Sequence, residues 1–240
     1  MAGALTHLLY LHGFRSSPKS AKAVLTAAWV ARHHPEVNVW CPQLPPSPAD
    51  AMALVLDGVA AWPPATSAVI GSSLGGFYAT AVAERLGWRA VVLNPAVDPA
   101  RDLTKYIGEL TAWHTDDTFF FRAEFIAELR AIAPVRLSRL GRYFALIAKG
   151  DEVLSWVEMS GRYAGARVRL LEGGDHAISD YEHHLPEVTG FLGLSVPVDE
   201  GAEHPAPDPD VEPQQQRHRQ AAPQRPGAVQ PGGDVEEDEQ

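Results

Sequence analysis

The segment Gly71-Ser72-Ser73-Leu74-Gly75 carries the clearest chemical signal in the sequence. It follows the apolar run 68–70 and precedes a helical pattern over 74–86, which predicts a strand, a tight turn and a helix. At such a turn, small residues two positions before and after a serine let the strand and the helix pass closely. Ser73 has glycines at both positions and Ser72 at neither. We therefore expect Ser73 to be a nucleophile, the alternative being an ordinary turn rich in glycine and serine.

A base and an acid can be assigned from their order along the chain. A serine hydroxyl is a poor nucleophile unless a base removes its proton. In one recurrent arrangement the acid and then the histidine follow the serine, each after a later strand. Asp151 follows the apolar run 143–148, and His176 follows the run 167–171 in a glycine-rich loop. The order Ser73, Asp151, His176 therefore predicts a catalytic triad.

Other residues could fill two of these roles. Glu152 and Asp175 are alternative acids, but adjacent loop residues rarely point the same way, and we favour Asp151 because it directly follows the Gly150 turn. Most of the other histidines lie in the wrong chain segment or on a helix flank. The alternative bases are His7, His33, His34, His114, His183 and His184.

Two backbone N–H groups are candidates for stabilising a developing oxyanion. One belongs to Leu74, directly after the nucleophile, and the other to Phe14, in the loop 12–18 after the first predicted strand. The alternative for this loop is a plain strand-to-helix turn in which Ser17 or Ser20 caps the helix. Both descriptions of the loop can hold together.

Short apolar runs alternate with longer helical patterns over residues 1–194. Most of the runs are continuously hydrophobic, which is typical of strands covered on both faces, and the alternation favours a parallel sheet with flanking helices. With the order of the three polar residues, it predicts an α/β-hydrolase fold with a mostly parallel sheet of about six strands. The predicted strands are 5–11, 37–41, 68–71, 90–93, 143–148 and 167–171, and the predicted helices are 20–32, 48–60, 74–86, 123–132, 153–163 and 179–191.

One connection, over residues 98–140, is too long for a simple crossover. It contains Tyr106, Trp113, His114 and the run Phe119-Phe120-Phe121. A long insertion at the mouth of an α/β site is often a cap or lid, so we expect a short cap insertion here. The alternative is a pair of ordinary packing helices.

Composition changes sharply after residue 194. Of the 30 acidic and 20 basic residues, 11 acidic residues and three arginines lie in 195–240, which is rich in Pro and Gln and poor in large apolar residues. Such a segment buries too little surface to offset its ordering entropy. We expect a hydrolase domain over 1–194 and a disordered acidic tail over 195–240.

Several function classes are disfavoured by composition. The domain has no basic patch that suggests nucleic acid, no metal-ligand cluster, no phosphate-binding loop and no dinucleotide fingerprint, so we expect no cofactor. The apolar run 8–11 is too short for a signal peptide core or a membrane span. The single cysteine, Cys41, cannot form an internal disulfide, which is typical of a reducing compartment. We expect a soluble, cytoplasmic protein that does not bind membranes.

Six stretches of the sequence resemble the YqiA-type esterases, a family of small bacterial cytoplasmic α/β-hydrolases, and the resemblance runs from about Leu8 to Leu194. It implies Ser73 as nucleophile, Asp151 as acid and His176 as base, with esterase activity on short acyl chains that extends to acyl-CoA thioesters. Segment 98–140 departs most from the family pattern. The matching stretches are 9–23, 42–46, 71–80, 94–97, 150–154 and 172–177.

The sequence leaves three functions open. The leading one is a serine esterase that acts on a small-molecule ester and transfers its acyl group through Ser73 to water. The second is an acyl-CoA thioesterase with the same triad, for which Arg15 and Lys19 are the only hint of a rim that binds phosphates. The third is a non-catalytic binding module, which would be expected to have a broken triad.

Overall fold

Six parallel strands form the central sheet of the computed structural model, which describes residues 3–111 and 118–196. The strands lie in the order β2-β1-β3-β4-β7-β8, and a separate antiparallel hairpin joins β5 to β6. The bounds are β1 His7–Leu11, β2 Asn38–Trp40, β3 Ser67–Ser72, β4 Arg89–Leu93, β5 Gly108–Thr111, β6 Thr118–Phe121, β7 Tyr143–Ala148 and β8 Arg167–Leu171. The helices are α1 Ala21–His33, α2 Pro48–Gly58, α3 Leu74–Leu86, α4 Pro99–Asp102, α5 Glu124–Ile132, α6 Trp156–Arg162 and α7 Tyr181–Phe191.

The central strands are buried on both faces, which is why their sequences are apolar at successive positions. In β1, Leu9 and Leu11 belong to the core on one face of the sheet, whereas Leu8 and Tyr10 belong to the core on the other. The first core also takes side chains from α2, α3 and α6, and the second takes side chains from α1 and α7. The predicted fold is therefore confirmed, and each predicted strand and helix is present within a few residues of its expected bounds.

The insertion contains α4, the β5–β6 hairpin and α5. The insertion does contain two packing helices, α4 and α5, but also the β5–β6 hairpin, which was not predicted. In β6, Phe119 is half-buried and Phe121 is buried, whereas Phe120 is 58% exposed. This is the two-residue period of a strand, but three identical aromatic residues conceal it in the sequence.

The backbone is tightly packed where β3 turns into α3 beneath the end of β1. A Cβ on Gly71 would lie 2.1 Å from the carbonyl oxygen of Gly75, and a Cβ on Gly75 would lie 2.0 Å from the carbonyl oxygen of Leu11. Both distances are far shorter than a carbon–oxygen contact allows. Only glycine fits at these positions, so the two residues fix the separation of β1, β3 and α3.

Replacing Gly75 with alanine tests this crossing. We expect Gly75→Ala to lower the free energy of unfolding by about 3 kcal/mol or more, because the backbone must move to admit the methyl group. Gly161→Ala in α6 is the matched control, since a Cβ there meets no atom within 4 Å and alanine favours a helix. Urea denaturation measures both. If Gly75→Ala unfolds at the same urea concentration as the unchanged protein, the crossing is looser than described.

Candidate active site

The three residues predicted to form a triad converge at the carboxyl ends of neighbouring parallel strands. Ser73 directly follows β3, Asp151 follows β7, and His176 lies in the loop after β8. The carboxyl edge is where ligands bind in open α/β sheets. The sheet order brings these loops together although 103 positions separate Ser73 from His176.

Ser73 has an unusual backbone conformation, with φ 56° and ψ −122°. Non-glycine residues seldom adopt positive φ, and such a conformation costs about 1–3 kcal/mol. The end of β4 and the loop after it hold this conformation in place, because the N–H of Ser73 donates to the carbonyl of Leu93 at 3.0 Å and its carbonyl accepts from the N–H of Ala96 at 3.0 Å. The side chain therefore stands at the tip of the turn.

A chain of two hydrogen bonds joins the three side chains. His176 Nε2 lies 3.0 Å from Ser73 Oγ, and His176 Nδ1 lies 2.8 Å from Asp151 Oδ2. The Asp151 side chain is 0% exposed, and its second oxygen accepts the N–H groups of Val153 and Leu154, each at 2.8 Å. A carboxylate can only accept, so Nδ1 carries the ring proton and Nε2 is left to accept from the serine hydroxyl. This arrangement can remove the proton of Ser73.

The alternative acids make other contacts. Glu152 accepts the backbone N–H of His176 at 2.9 Å and so holds the histidine loop. The carboxylate of Asp175 accepts from the hydroxyl and the N–H of Ser179, and these hydrogen bonds lower its pKa. Of the carboxylates that the structure describes, Asp151 alone contacts the imidazole of His176.

The alternative bases lie apart from Ser73 where they are described. His7 packs against Trp62 with the two rings tilted, and His184 Nε2 lies 3.2 Å from Asp180 Oδ2. In the described ranges, only His176 is hydrogen-bonded to the hydroxyl of Ser73. His114 lies outside the described residues, as does Trp113.

Asn94 is a further residue of the site that sequence reasoning missed. It follows β4, is 0% exposed, and has φ 41°, a conformation that asparagine tolerates better than most residues. Its Nδ2 donates to the carbonyls of Asp175 and His176 at 3.0 and 3.2 Å, and its Oδ1 accepts the N–H of Ala148 at 2.8 Å. Asn94 thus joins the end of β4 to the end of β7 and to the histidine loop. A polar residue directly after a buried strand was the available signal.

The loop predicted to carry an oxyanion donor lies against the nucleophile. A Cβ on Gly13 would lie 3.2 Å from Ser73 Cβ. Phe14 and Leu74 line the same cavity as Ser73 and His176. The capping alternative is not observed at Ser20, which precedes α1 without a side-chain hydrogen bond to it, while the Ser17 hydroxyl accepts the N–H of Lys19 before the helix begins.

Two cavities meet at Phe14. The first measures about 510 Å³ and the second about 560 Å³, both within the range typical of small-molecule sites. Phe14, Arg15 and Leu74 line both of them. The first cavity also contains Ser73, His176, Leu103, Tyr106, Val153 and Leu154; the second also contains His12, Leu44, Pro45, Leu54, Tyr78 and Phe119.

The insertion lies over this part of the site. The ring of Phe14 packs against Tyr106, Phe119 and Phe121, with ring centroids 5.3 to 6.3 Å apart. Arg15 Nε also donates to the carbonyl of Thr111 at 2.7 Å. The insertion therefore covers the loop after β1 and supplies walls to both cavities.

The described ranges hold no group of three or more His, Cys, Asp or Glu side chains placed to bind a metal ion. No helix described by the structure is both long and apolar enough to cross a membrane. Burial raises the pKa of Cys41 to about 12, so this thiol is not a reactive nucleophile at neutral pH.

Exchanging the amide of Asn94 for a carboxylate tests its bridging role. Asn94→Asp keeps an acceptor for Ala148 but places a carboxylate oxygen against two carbonyl oxygens. We expect the free energy of unfolding to fall by about 1–3 kcal/mol, measured by urea denaturation at neutral pH. Asn38→Asp, at an exposed position in β2, serves as the control and should have little effect. Equal stability of both variants would contradict the assignment.

Solved structures of other proteins share this architecture. The chain is similar to alpha/beta hydrolase domain-containing protein 10 from mouse, with a TM-score of 0.61 and 16% identity over 80% of this chain and 92% of that one. It is also similar to Est1E from Butyrivibrio proteoclasticus, with a TM-score of 0.55 and 17% identity over 79% and 86%. For the esterase domain of a Rhodothermus marinus protein, the TM-score is 0.56 and the identity 21% over 78% and 85%. These likenesses show the α/β-hydrolase fold.

Comparison with protein families gives a closer relationship. The model of the family described as "Uncharacterised protein family (UPF0227)" matches residues 7–193. The match covers all strands of the central sheet and the loops that carry Ser73, Asp151 and His176. It also confirms the resemblance to the YqiA-type proteins that the sequence motifs indicate. Because the match spans most of the 240 residues, the chain belongs to the UPF0227 family.

Proposed function

We propose that this protein is a serine esterase that hydrolyses short-chain carboxylic esters through an acyl-enzyme. The observation that carries the proposal is the hydrogen-bonded chain from Ser73 Oγ through His176 to Asp151. A poor nucleophile, a base placed to take its proton and a buried acid that orients the base are the parts that acyl transfer requires. The likeness to esterase structures supports the same reaction class.

The first half of the reaction forms the acyl-enzyme. His176 Nε2 takes the hydroxyl proton as Ser73 Oγ attacks the ester carbonyl, and Asp151 stabilises the imidazolium that forms. The N–H groups of Phe14 and Leu74 donate to the oxyanion of the tetrahedral intermediate. When this intermediate collapses, His176 gives its proton to the departing alcohol. Ser73 is then joined to the acyl group through an ester bond.

The second half regenerates the enzyme. Water enters the cavity, His176 takes a proton from it, and the resulting hydroxide attacks the acyl carbonyl. The same two N–H groups stabilise the second oxyanion. Collapse returns the proton from His176 to Ser73 Oγ and releases the carboxylic acid. An intact arrangement of the three residues favours this enzyme over a non-catalytic binding module.

Removing the hydroxyl of Ser73 tests the proposal. We expect Ser73→Ala to lower kcat for 4-nitrophenyl butyrate by roughly 10⁴-fold or more, because a methyl group cannot attack the carbonyl. The hydrolysis rate is followed by the release of nitrophenol. Ser72→Ala is the matched control, since Ser72 is the neighbouring serine and lacks the flanking glycines; it should keep most of the activity. Hydrolysis that survives in Ser73→Ala would refute the assignment of the nucleophile.

We also propose that residues 1–194 form the complete catalytic domain and that the segment 195–240, nearly all of it outside the described residues, is a separate acidic tail. The family match ends at residue 193, and the side chains named above all precede that point. The single cysteine also supports a reducing compartment, which we propose to be the cytoplasm.

Truncation tests this division. A chain that ends at Val196 should hydrolyse 4-nitrophenyl butyrate with the same kcat/KM as the full chain, because it keeps every residue of the proposed active site. The two proteins should also show the same thermal midpoint. A truncated protein that folds but has lost its activity would show that the tail takes part in the reaction.

A further inference from the structure

His12 is a buried histidine that has no part in the reaction proposed for Ser73. It directly follows β1, is 3% exposed and opens the loop that carries Phe14. Its ring lines the second cavity, whereas the hydroxyl of Ser73 is hydrogen-bonded to His176. The contacts of the His12 ring nevertheless reach the backbone of the oxyanion loop.

Both ring nitrogens of His12 contact backbone groups. Nε2 lies 3.1 Å from the backbone nitrogen of Leu44, and Nδ1 lies 3.0 Å from the carbonyl oxygen of Gly13. A backbone N–H can only donate, and a carbonyl can only accept. Nε2 is therefore the nitrogen without a proton, and Nδ1 carries the proton that it donates to Gly13. The contact with Leu44 thus fixes the tautomer that this donation requires.

The carbonyl of Gly13 belongs to the same peptide unit as the N–H of Phe14. This peptide bond is trans, and a trans peptide is planar, with its C=O and N–H groups pointing in opposite directions. A hydrogen bond that holds the carbonyl therefore also fixes the direction of the N–H. The N–H of Ser16 donates to the same carbonyl at 3.3 Å. Two donors thus hold the peptide plane, and His12 provides the shorter of the two contacts.

This peptide plane lies beside the proposed nucleophile. A Cβ on Gly13 would lie 3.2 Å from Ser73 Cβ and 3.7 Å from Ser73 Oγ. Within residues 3–111 and 118–196, no group accepts a hydrogen bond from the N–H of Phe14. A free backbone donor next to the reacting serine suits an oxyanion, which needs donors already in place when its charge develops.

We infer that His12 is a positioning residue for the oxyanion site. By donating to the carbonyl of Gly13, it directs the N–H of Phe14 toward the negative charge that forms on the substrate. The same hydrogen bond polarises the amide and so strengthens the N–H as a donor. The inference rests on the proposed esterase function and adds a residue that acts on the reaction through the backbone.

Two amide substitutions separate the two hydrogen bonds of His12. The amide nitrogen of asparagine is as many bonds from Cα as Nδ1, so His12→Asn can still donate to Gly13 but cannot reach Leu44. The amide oxygen of glutamine is as many bonds from Cα as Nε2, so His12→Gln can still accept from Leu44 but has no donor at the Nδ1 position. His12→Leu removes both hydrogen bonds and keeps an apolar side chain.

We expect His12→Gln and His12→Leu to lower kcat for 4-nitrophenyl butyrate by about tenfold or more with little change in KM, because one oxyanion donor is misplaced. His12→Asn should keep most of the activity. Trifluoromethyl propyl ketone forms a tetrahedral adduct with an activated serine, so its inhibition constant should rise in the same two variants. Each rate is measured below the thermal midpoint of the variant, so that only folded protein is compared.

His7→Leu is the matched control for loss of a histidine. His7 lies at the opposite end of β1 and packs against Trp62, so its replacement should change neither kcat nor the inhibition constant. A loss of activity in this variant as large as that in His12→Leu would show a general effect on β1 and would contradict the inference.

Other results would also overturn the inference. If the Asn and Gln variants are equally active, or if the Gln variant is the more active of the two, the hydrogen bond to Gly13 does not matter. If kcat falls in His12→Gln without a rise in the inhibition constant of the ketone, His12 does not act on the oxyanion. Failure of the esterase proposal is distinct, since Ser73→Ala would then hydrolyse the butyrate ester as fast as the unchanged protein.

Discussion

The site depends on one steric constraint, the crossing of β3 and α3 beneath the end of β1. The neighbouring backbone leaves no room for a side chain at Gly71 or Gly75. The chain turns sharply between these two glycines. Ser73 lies at the tip of that turn with a positive φ, and hydrogen bonds from its backbone to Leu93 and Ala96 hold this conformation. The stability of the surrounding sheet thus compensates the strain at one residue, and the hydroxyl of that residue is presented to the cavity.

A second layer of hydrogen bonds positions the groups that act on Ser73. Asp151 is held by the N–H groups of Val153 and Leu154, while Glu152 holds the backbone of His176. Asn94 joins that loop to the end of β4. Buried polar networks of this kind are favourable only when every member is satisfied. The geometry of the imidazole therefore depends on three strands at once, and a change in any of these loops is expected to reach Ser73.

The sequence predicted those parts of the site that local patterns encode. The apolar runs located the strands, the spacing of two glycines selected Ser73 over Ser72, and the order along the chain selected Asp151 and His176. Asn94 was missed because its role comes from carbonyl groups of loops that are distant in sequence. The β5–β6 hairpin was missed because the consecutive phenylalanines conceal which one faces the core.

In the proposed reaction, Ser73 is the one serine whose oxygen becomes bonded to an acyl group. A fluorophosphonate probe records this most directly, because it forms a stable bond with a serine that a neighbouring base activates. The full chain is treated with the probe, digested, and examined by peptide mass spectrometry. We expect a single phosphonate adduct on Ser73, which disappears when His176 is replaced by alanine. An adduct on another serine, or an adduct on Ser73 that persists without His176, would contradict the proposed reaction.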